Sequence, residues 1–225
     1  EANTAETDTS KVVKAMVGRD LKDFYPRAAI EPGAVKVAID LPGFKLDIHA
    51  GEVIFGLEPS TGTLYIDGKA VQLGKGPHIC IDAGVGLLTE DRKKTGLALA
   101  LPIRHNTTLA GLDKVTPGPW LLHGPDKSAT QTQVTALAVK TPSTENAVGN
   151  LSGGNQQKVV LGRWLHAEST VLLFDEPTRG VDVGSKVEIY ERMNDVTRKG
   201  SVVVLVSSEI PELLRMQPLS ASSTG

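Results

Sequence analysis

A glycine-rich turn at residues 151–158 constrains the fold of this chain more than any other stretch. It reads Leu-Ser-Gly-Gly-Asn-Gln-Gln-Lys and is typical of a turn that opens a helix, with Ser152 in the position of the helix cap. Gly153 and Gly154 allow the backbone to approach a ligand closely. Because the first N–H groups of a helix are free and its dipole is positive there, the turn predicts a helix start that faces phosphate.

An apolar strand that ends in two carboxylates follows at residues 172–177, which read Leu-Leu-Phe-Asp-Glu-Pro. Asp175 and Glu176 stand at the carboxyl end of this strand, where such a pair can hold hydrated Mg²⁺ and polarise an attacking water. Either motif alone is weak evidence, because a Gly-Gly turn is usually only a turn and Asp-Glu-Pro is usually a solvated loop. Their combination in this order indicates a phosphate site.

Together the two motifs resemble the signature motif and the Walker B motif of ABC-type ATPases. Other stretches are similar to the C-terminal nucleotide-binding half of bacterial monosaccharide (ribose-type) importer ATPases. They are Gly-Arg-Asp-Leu at 18–21, Glu-Asp-Arg-Lys at 90–93, Asp-Glu-Pro-Thr-Arg-Gly-Val-Asp-Val-Gly at 175–184 and Ser-Ser-Glu-Ile-Pro-Glu at 207–212. The resemblance implies an α/β, ABC-type P-loop ATPase fold, with a mixed or parallel core sheet flanked by helices, a small antiparallel subsheet and a helical signature subdomain.

The resemblance also implies roles for single residues. Glu176 matches the general base, Asp175 the Mg²⁺ ligand and Ser208 the position of the switch histidine. Contacts with ATP are implied for Ser152, Gly153, Gly154, Gln156, Asp182 in the D-loop and Glu90 near the position of the glutamine loop. Glu90 departs from the family pattern, since the amide that usually stands there is missing.

The phosphate-binding loop G-x-x-x-x-G-K-[ST] does not occur in this sequence. Residues 51–53 run directly into 54–57, where related importers carry a P-loop and most of a helix. Two other stretches could replace the phosphate-binding loop. Residues 56–63 have glycines but no lysine. Residues 74–77 have a lysine but no following Ser or Thr, and Pro77 has no amide donor. Both are more typical of turns. The fold is therefore expected to be incomplete, and the loss of a core helix is expected to lower stability.

The chain is expected to comprise three regions. These are a polar N-terminus and inter-domain linker at 1–33, a nucleotide-binding domain without P-loop at 34–216, and a disordered tail at 217–225. The patterns predict strands at 35–39, 44–48, 63–66, 79–86, 171–174 and 201–206, a turn at 50–52, a loop at 113–130 and helices at 11–17 and 131–139. The last two strands flank a helix and are expected to be parallel and buried.

Two further helices are predicted around the motifs. The helix after Ser152 has an apolar face at Val160, Trp164 and Ala167, which leaves Gln156 and Lys158 on the nucleotide or solvent side. The next helix is expected to begin at a capping box formed by Ser185 and Glu188, to bury Ile189, Met193 and Val196, and to stop at Gly200.

Composition excludes several classes of protein. The net charge of −2 leaves no basic excess for a general nucleic-acid binder. Cys80 is the only cysteine, so no disulfide forms within the chain, which fits a reducing compartment. The longest strongly apolar run, 202–206, is too short to span a bilayer, and the polar N-terminus is unlike a signal peptide. These features predict a soluble, intracellular protein, and the resemblance to importer ATPases implies a cytoplasmic location, peripheral on the inner face of the cell membrane.

Because ABC sites form between two domains, the resemblance implies ATP and Mg²⁺ as cofactors and a second ABC nucleotide-binding domain as partner. It also implies transmembrane permease subunits and, indirectly, a periplasmic sugar-binding protein. Three readings stay open. The first is a transporter ATPase half that offers its signature to a partner's site. The second is a non-catalytic remnant that folds or binds transporter subunits. The third is a DNA-associated ABC ATPase, which no basic patch in the sequence supports. Whether it is an enzyme depends on its own site, which lacks a P-loop.

Overall fold

The computed structural model describes residues 37–40, 50–57, 62–116, 123–209 and Glu212. In chain order its main elements are β1 (Val37–Asp40), α1 (Ala50–Phe55), β2 (Thr63–Ile66), β3 (Lys69–Gln72), α2 (Pro77–Asp82), β4 (Val85–Leu88), α3 (Ile103–Thr108), α4 (His123–Ala136), α5 (Gly153–His166), β5 (Val171–Asp175), α6 (Val183–Arg198) and β6 (Val202–Val206). The helix expected at 11–17, the strand expected at 44–48, the linker and the tail lie outside the described residues.

A parallel sheet in the order β4-β5-β6 forms the centre of the core. Val171 on β5 pairs with Val85 on one side and Val202 on the other. The predicted strand–helix–strand unit with parallel strands is thus confirmed. β5 is fully buried, whereas every residue of β6 is only partly buried. β6 pairs with β5 alone among the described strands, so the prediction that both strands would be buried is wrong for β6.

A separate antiparallel sheet in the order β1-β2-β3 confirms the predicted subsheet. Its hairpin turns at Asp67 and Gly68, both with positive φ (47° and 76°), which suits the twist of a two-residue hairpin. Leu64 is fully buried and pairs with Val71, so one face of this sheet joins the core.

Helix α5 packs flush against β4 because Gly86 has no side chain. A Cβ on Gly86 would lie 2.6 Å from Cγ of Trp164. The Trp164 indole donates to the Leu87 carbonyl at 2.6 Å and meets the Phe55 ring edge-on, with centroids 5.5 Å apart. A cavity of about 190 Å³ lies beside this contact, lined chiefly by Phe55, Leu57, Ile81, Leu87, Leu109 and Trp164.

Three local predictions are wrong. Residues 50–52 are not a turn but begin α1, whose Ile54 and Phe55 are buried on the core sheet. The strand expected at 79–86 is split, because Pro77 starts a helix and the strand begins only at Val85. The loop expected at 113–130 contains the start of α4, where Pro125 lies in the first turn and loses no intrahelical hydrogen bond.

Helices α3, α4 and α5 pack against one another, and α5 joins this group to β4 of the core sheet. Arg104 links α3 to its neighbours through ion pairs with Asp126 of α4 and with Glu145. Within the described residues, no helix combines the length and apolarity that crossing a bilayer requires.

Candidate functional site

The glycine-rich turn leads into α5 as predicted, and the helix begins at Gly153. Ser152 is exposed at the N-cap position, but its hydroxyl makes no capping hydrogen bond to the helix backbone. The hydroxyl oxygen instead accepts a hydrogen bond from Nδ2 of Asn155 at 2.9 Å. The predicted side-chain cap is therefore wrong, and Ser152 presents its side chain to the surface.

The two glycines of the turn lie close against neighbouring side chains. A Cβ on Gly153 would lie 2.5 Å from Nη2 of Arg92, and a Cβ on Gly154 would lie 2.5 Å from Oγ of Ser185. Both distances are shorter than contacts that real side chains make. The structure thus gives these glycines a packing reason, and their predicted approach to a ligand stays a prediction.

Gln156 and Lys158 are buried, so the prediction that they face solvent is wrong for both, while the contact of Gln156 with ATP stays a prediction. Each is 4% exposed. The Gln156 carboxamide oxygen accepts from Nε of Arg92 at 3.1 Å. The Lys158 ammonium donates to the Ala138 carbonyl at 3.0 Å and pairs with Glu188 at 2.6 Å. The reason is that α5 packs against β4, α3, α4 and α6, and these two side chains lie on its enclosed sides.

Asp175 is sealed at the end of β5. It has no exposed surface, and its Oδ2 accepts the Gly51 N–H at 3.0 Å. Its Oδ1 is buried without a hydrogen-bond partner among the described residues. Burial raises the pKa of Asp175 to about 6, assisted by the negative charges of Glu52 and Glu90. Only glycine fits at position 51, since a Cβ on Gly51 would lie 2.5 Å from Oδ2 of Asp175.

Glu176 and Ser208 meet at the ends of the neighbouring strands β5 and β6. Glu176 is 5% exposed and has a positive φ of 44°. Its N–H donates to the Val206 carbonyl at 2.9 Å, and its Oε1 accepts the Ser208 N–H. The carboxylate is therefore tied to the β6 backbone, while the Ser208 side chain is exposed.

Glu90 and Asp182 have structural partners of their own. Glu90 forms an ion pair with Arg179, which follows the β5 carboxylates. Asp182 caps α6 by accepting the Ser185 N–H at 3.0 Å and its hydroxyl at 2.7 Å, and these hydrogen bonds lower the pKa of Asp182. The capping box predicted at Ser185 and Glu188 is wrong, because the helix begins at Val183 and its N-cap is Asp182.

A sequence model of the family described as ABC transporter matches residues 51–179, which is more than half of the chain. The chain belongs to the ABC transporter family. The match includes the signature turn (residues 151–154) and the Walker B carboxylates (Asp175 and Glu176).

Curated relatives in the ABC transporter family are ribose import proteins. The chain is 39% identical to the ribose import ATP-binding protein RbsA of Bacillus licheniformis, over 94% of this chain and 48% of that protein. It is 37% identical to the protein of the same name from Halalkalibacterium halodurans, over 93% of this chain and 47% of that protein. The chain thus spans about half the length of the curated relatives it matches.

Solved structures confirm the predicted fold class. A nucleotide-free ATP-binding cassette from an ABC transporter matches with a TM-score of 0.59 and 18% identity, over 73% of this chain and 66% of that chain. A dimeric ATP-binding cassette in a post-hydrolysis state with ADP and phosphate matches with a TM-score of 0.57 and 21% identity, over 74% of this chain and 71% of that chain. At this identity the likeness concerns the fold alone.

The residues around the Walker B carboxylates do not fit Mg²⁺ or a triphosphate. Asp175 has no exposed surface, and helix α1 places the Gly51 amide on one of its oxygens. In the described part of the chain, no three His, Cys, Asp or Glu side chains are grouped so that they could hold a metal ion. The family's P-loop lysine has no counterpart in the sequence. Asp175 is thus shielded from solvent by residues of this chain.

Sequence reasoning missed Arg92. The run Glu-Asp-Arg-Lys-Lys at 90–94 resembles a family motif and is of a composition typical of a solvated surface, yet Arg92 is only 8% exposed. Arg92 donates a hydrogen bond to Gln156 of helix α5. A charged run gives no periodic signal that would separate one buried arginine from its exposed neighbours.

The raised pKa of Asp175 predicts a pH dependence of stability. Because the folded-state pKa of about 6 lies above the ordinary value of 3.8, the folded chain holds more protons, and stability is lost as pH rises through this interval. We expect the free energy of unfolding to be about 2 to 3 kcal/mol smaller at neutral pH than at about pH 4 on account of this group. Asp175→Asn, which keeps an oxygen for the Gly51 N–H, should remove most of that loss.

Urea unfolding at about pH 4 and about pH 7 measures this difference. Wild type and Asp175→Asn should be equally stable at the lower pH, and the variant should be more stable at the higher one. A variant that is less stable at neutral pH would show that the charged carboxylate stabilises the fold instead.

Proposed function

We propose that the chain is an ATP-binding component of a ribose-type sugar importer, in which it acts as a second nucleotide-binding half. It offers its signature turn to an ATP site whose phosphate-binding loop belongs to a partner cassette. The names of its relatives, which are ribose import ATP-binding proteins, support the transport role. The length of those relatives, about twice the matched part, supports an arrangement with a second cassette.

One contrast in accessibility carries this proposal. Ser152 is exposed at the start of a helix of 14 residues, whereas Asp175 has no exposed surface. The first N–H groups and the dipole of such a helix attract phosphate that approaches from outside. The chain therefore has an open surface for a nucleotide held by another domain and a closed end at its own Walker B carboxylates.

ATP and Mg²⁺ are accordingly held mainly by the partner cassette. Phosphoryl transfer depends on positioning the phosphates and on stabilising their charge, and this chain has no lysine and no amide nest for its own triphosphate. Glu176 retains the place of a general base but has no nucleotide to act on. Permease subunits would hold the assembly at the cytoplasmic face of the membrane, where it would serve a periplasmic sugar-binding protein indirectly.

The sealed Asp175 also favours a second candidate, a non-catalytic remnant that binds transporter subunits without contributing to hydrolysis. The two candidates differ at the signature turn. A contributing half needs Ser152 at the nucleotide, while a remnant retains binding to its partners whatever residue stands there.

Calorimetric titration with MgATP tests the proposed function. The chain alone should give no saturable heat, and an intact first-half cassette of a sugar-importer ATPase should bind MgATP by itself. Adding the chain to that cassette should tighten the apparent Kd at least about tenfold, equivalent to 1.4 kcal/mol. A first-half cassette with its P-loop lysine replaced is the control and should show no heat with or without the chain.

Saturable MgATP binding by the chain alone, or turnover that Glu176→Gln removes, would contradict the proposal. An unchanged Kd on mixing would instead support the remnant.

A further inference from the structure

Arg92 is a buried cation whose partners carry no charge. It is 8% exposed, its Nε donates to Oε1 of Gln156 at 3.1 Å, and its Nη1 donates to the carbonyl of Arg179 at 3.3 Å. Among the described residues, no carboxylate forms an ion pair with it. Burial lowers the pKa of Arg92, and the neighbouring Asp91 opposes this shift. Burying a charged guanidinium costs free energy unless its hydrogen bonds compensate for the lost hydration.

The guanidinium joins three segments that are distant in sequence. It comes from the turn after β4, and Gln156 lies in the first turns of α5. Arg179 belongs to the segment 176–182 between the Walker B strand and α6, which we name the D-loop segment. Since the planar fork of arginine presents its donors in a fixed geometry, these hydrogen bonds fix both distance and orientation.

Gly153 brings the same group directly under the signature turn. A Cβ at this position would lie 2.5 Å from Nη2 of Arg92. The guanidinium therefore lies against the signature turn at Gly153 and is hydrogen-bonded to Gln156 in the same helix. Glu90, two residues before Arg92, pairs with the side chain of Arg179, so the D-loop segment is held at both its backbone and its side chain.

We propose that Arg92 is a positioning residue, which fixes the signature turn relative to the D-loop segment. This inference rests on the proposed function for its effect on hydrolysis, although the positioning itself is a property of the chain alone. A movement of residues 90–92 is transmitted through one guanidinium both to the turn that carries Ser152 and to the segment that carries Asp182.

Arg92→Lys tests the positioning in the purified chain. Lysine keeps the charge but is a single donor point that does not bridge Gln156 and the Arg179 carbonyl in the same geometry. We expect amide hydrogen exchange in a peptide covering 151–158 to become at least about tenfold faster, with exchange in α4 unchanged. Lys93→Gln is the matched control, because Lys93 is exposed in the same charged run and should exchange as wild type does.

Hydrolysis by the chain mixed with an intact first-half cassette gives the second readout. Arg92→Lys should lower kcat about tenfold with little change in KM for ATP, because the turn is displaced and not removed. Gly153→Ala, whose new methyl group pushes the guanidinium away, should produce the same loss, and the double variant should lose little more than either single one.

The outcomes separate the two proposals. Faster exchange that is uniform over the chain, or exchange like that of Lys93→Gln, would overturn the positioning role. Local acceleration at 151–158 without any effect on hydrolysis would confirm the positioning and count against the proposed function. Should Arg92→Lys fail to fold, Gly153→Ala alone decides between these results.

Discussion

Replacing Ser152 by arginine is expected to lower partner-dependent ATP hydrolysis about a hundredfold or more, equivalent to about 2.7 kcal/mol in the activation free energy. Ser152 is exposed at the start of α5, where a triphosphate held by a second cassette would approach the free N–H groups. A long side chain at this point fills the space between the two domains and keeps the helix start away from the phosphate. Hydrolysis by the mixed proteins, with ATP at saturation, measures the effect.

Two variants control for this experiment. Ser128→Arg places the same side chain on an exposed position of α4 and should leave hydrolysis unchanged. Ser152→Ala removes the hydroxyl without adding bulk and should have an intermediate effect. The melting temperature of Ser152→Arg should match that of wild type, since exposed substitutions change stability little. Full hydrolysis in Ser152→Arg would favour the non-catalytic remnant.

Asp126→Asn is expected to destabilise the chain by about 3 to 5 kcal/mol, because it leaves the Arg104 guanidinium without its buried counter-charge. Asp126 has no exposed surface, forms an ion pair with Arg104 and accepts the Thr108 hydroxyl at 2.7 Å. These contacts hold α3 against α4 beside helix α5. Loss of about 3 kcal/mol lowers the melting temperature of a chain of this size by roughly 6 to 12 °C.

Glu145→Gln is the matched control, since it removes the other carboxylate that pairs with Arg104. Oε1 of Glu145 accepts from Nε of Arg104 at 3.0 Å, but the Glu145 side chain is 50% exposed. Solvent screens this pair, so the expected loss is at most about 1 kcal/mol. Urea and thermal unfolding of both variants measure the difference, and equal losses would show that burial of Asp126 does not set the strength of its ion pair.

Elements that depend on neighbours in sequence were predicted well. Strand β2 follows from its alternating residues, and the start of α5 follows from the Ser-Gly-Gly turn, whereas the partner strand β3 was not predicted. The end of β5 at Asp175 follows from an apolar run that meets two carboxylates. The start of α4 lies within the predicted loop at 113–130, whose proline content is typical of a loop, although Pro125 occupies a first turn, where proline loses no intrahelical hydrogen bond.

The sequence by itself determined the family motifs, the order of the core strands along the chain and the absence of a P-loop pattern. Only the tertiary structure decided which motif residues are accessible. Gln156 is buried because α5 is enclosed, and Asp175 is sealed because α1 places the Gly51 amide on it from 124 residues away in sequence. Periodicity and spacing describe one segment at a time, whereas burial depends on which distant segments pack against it.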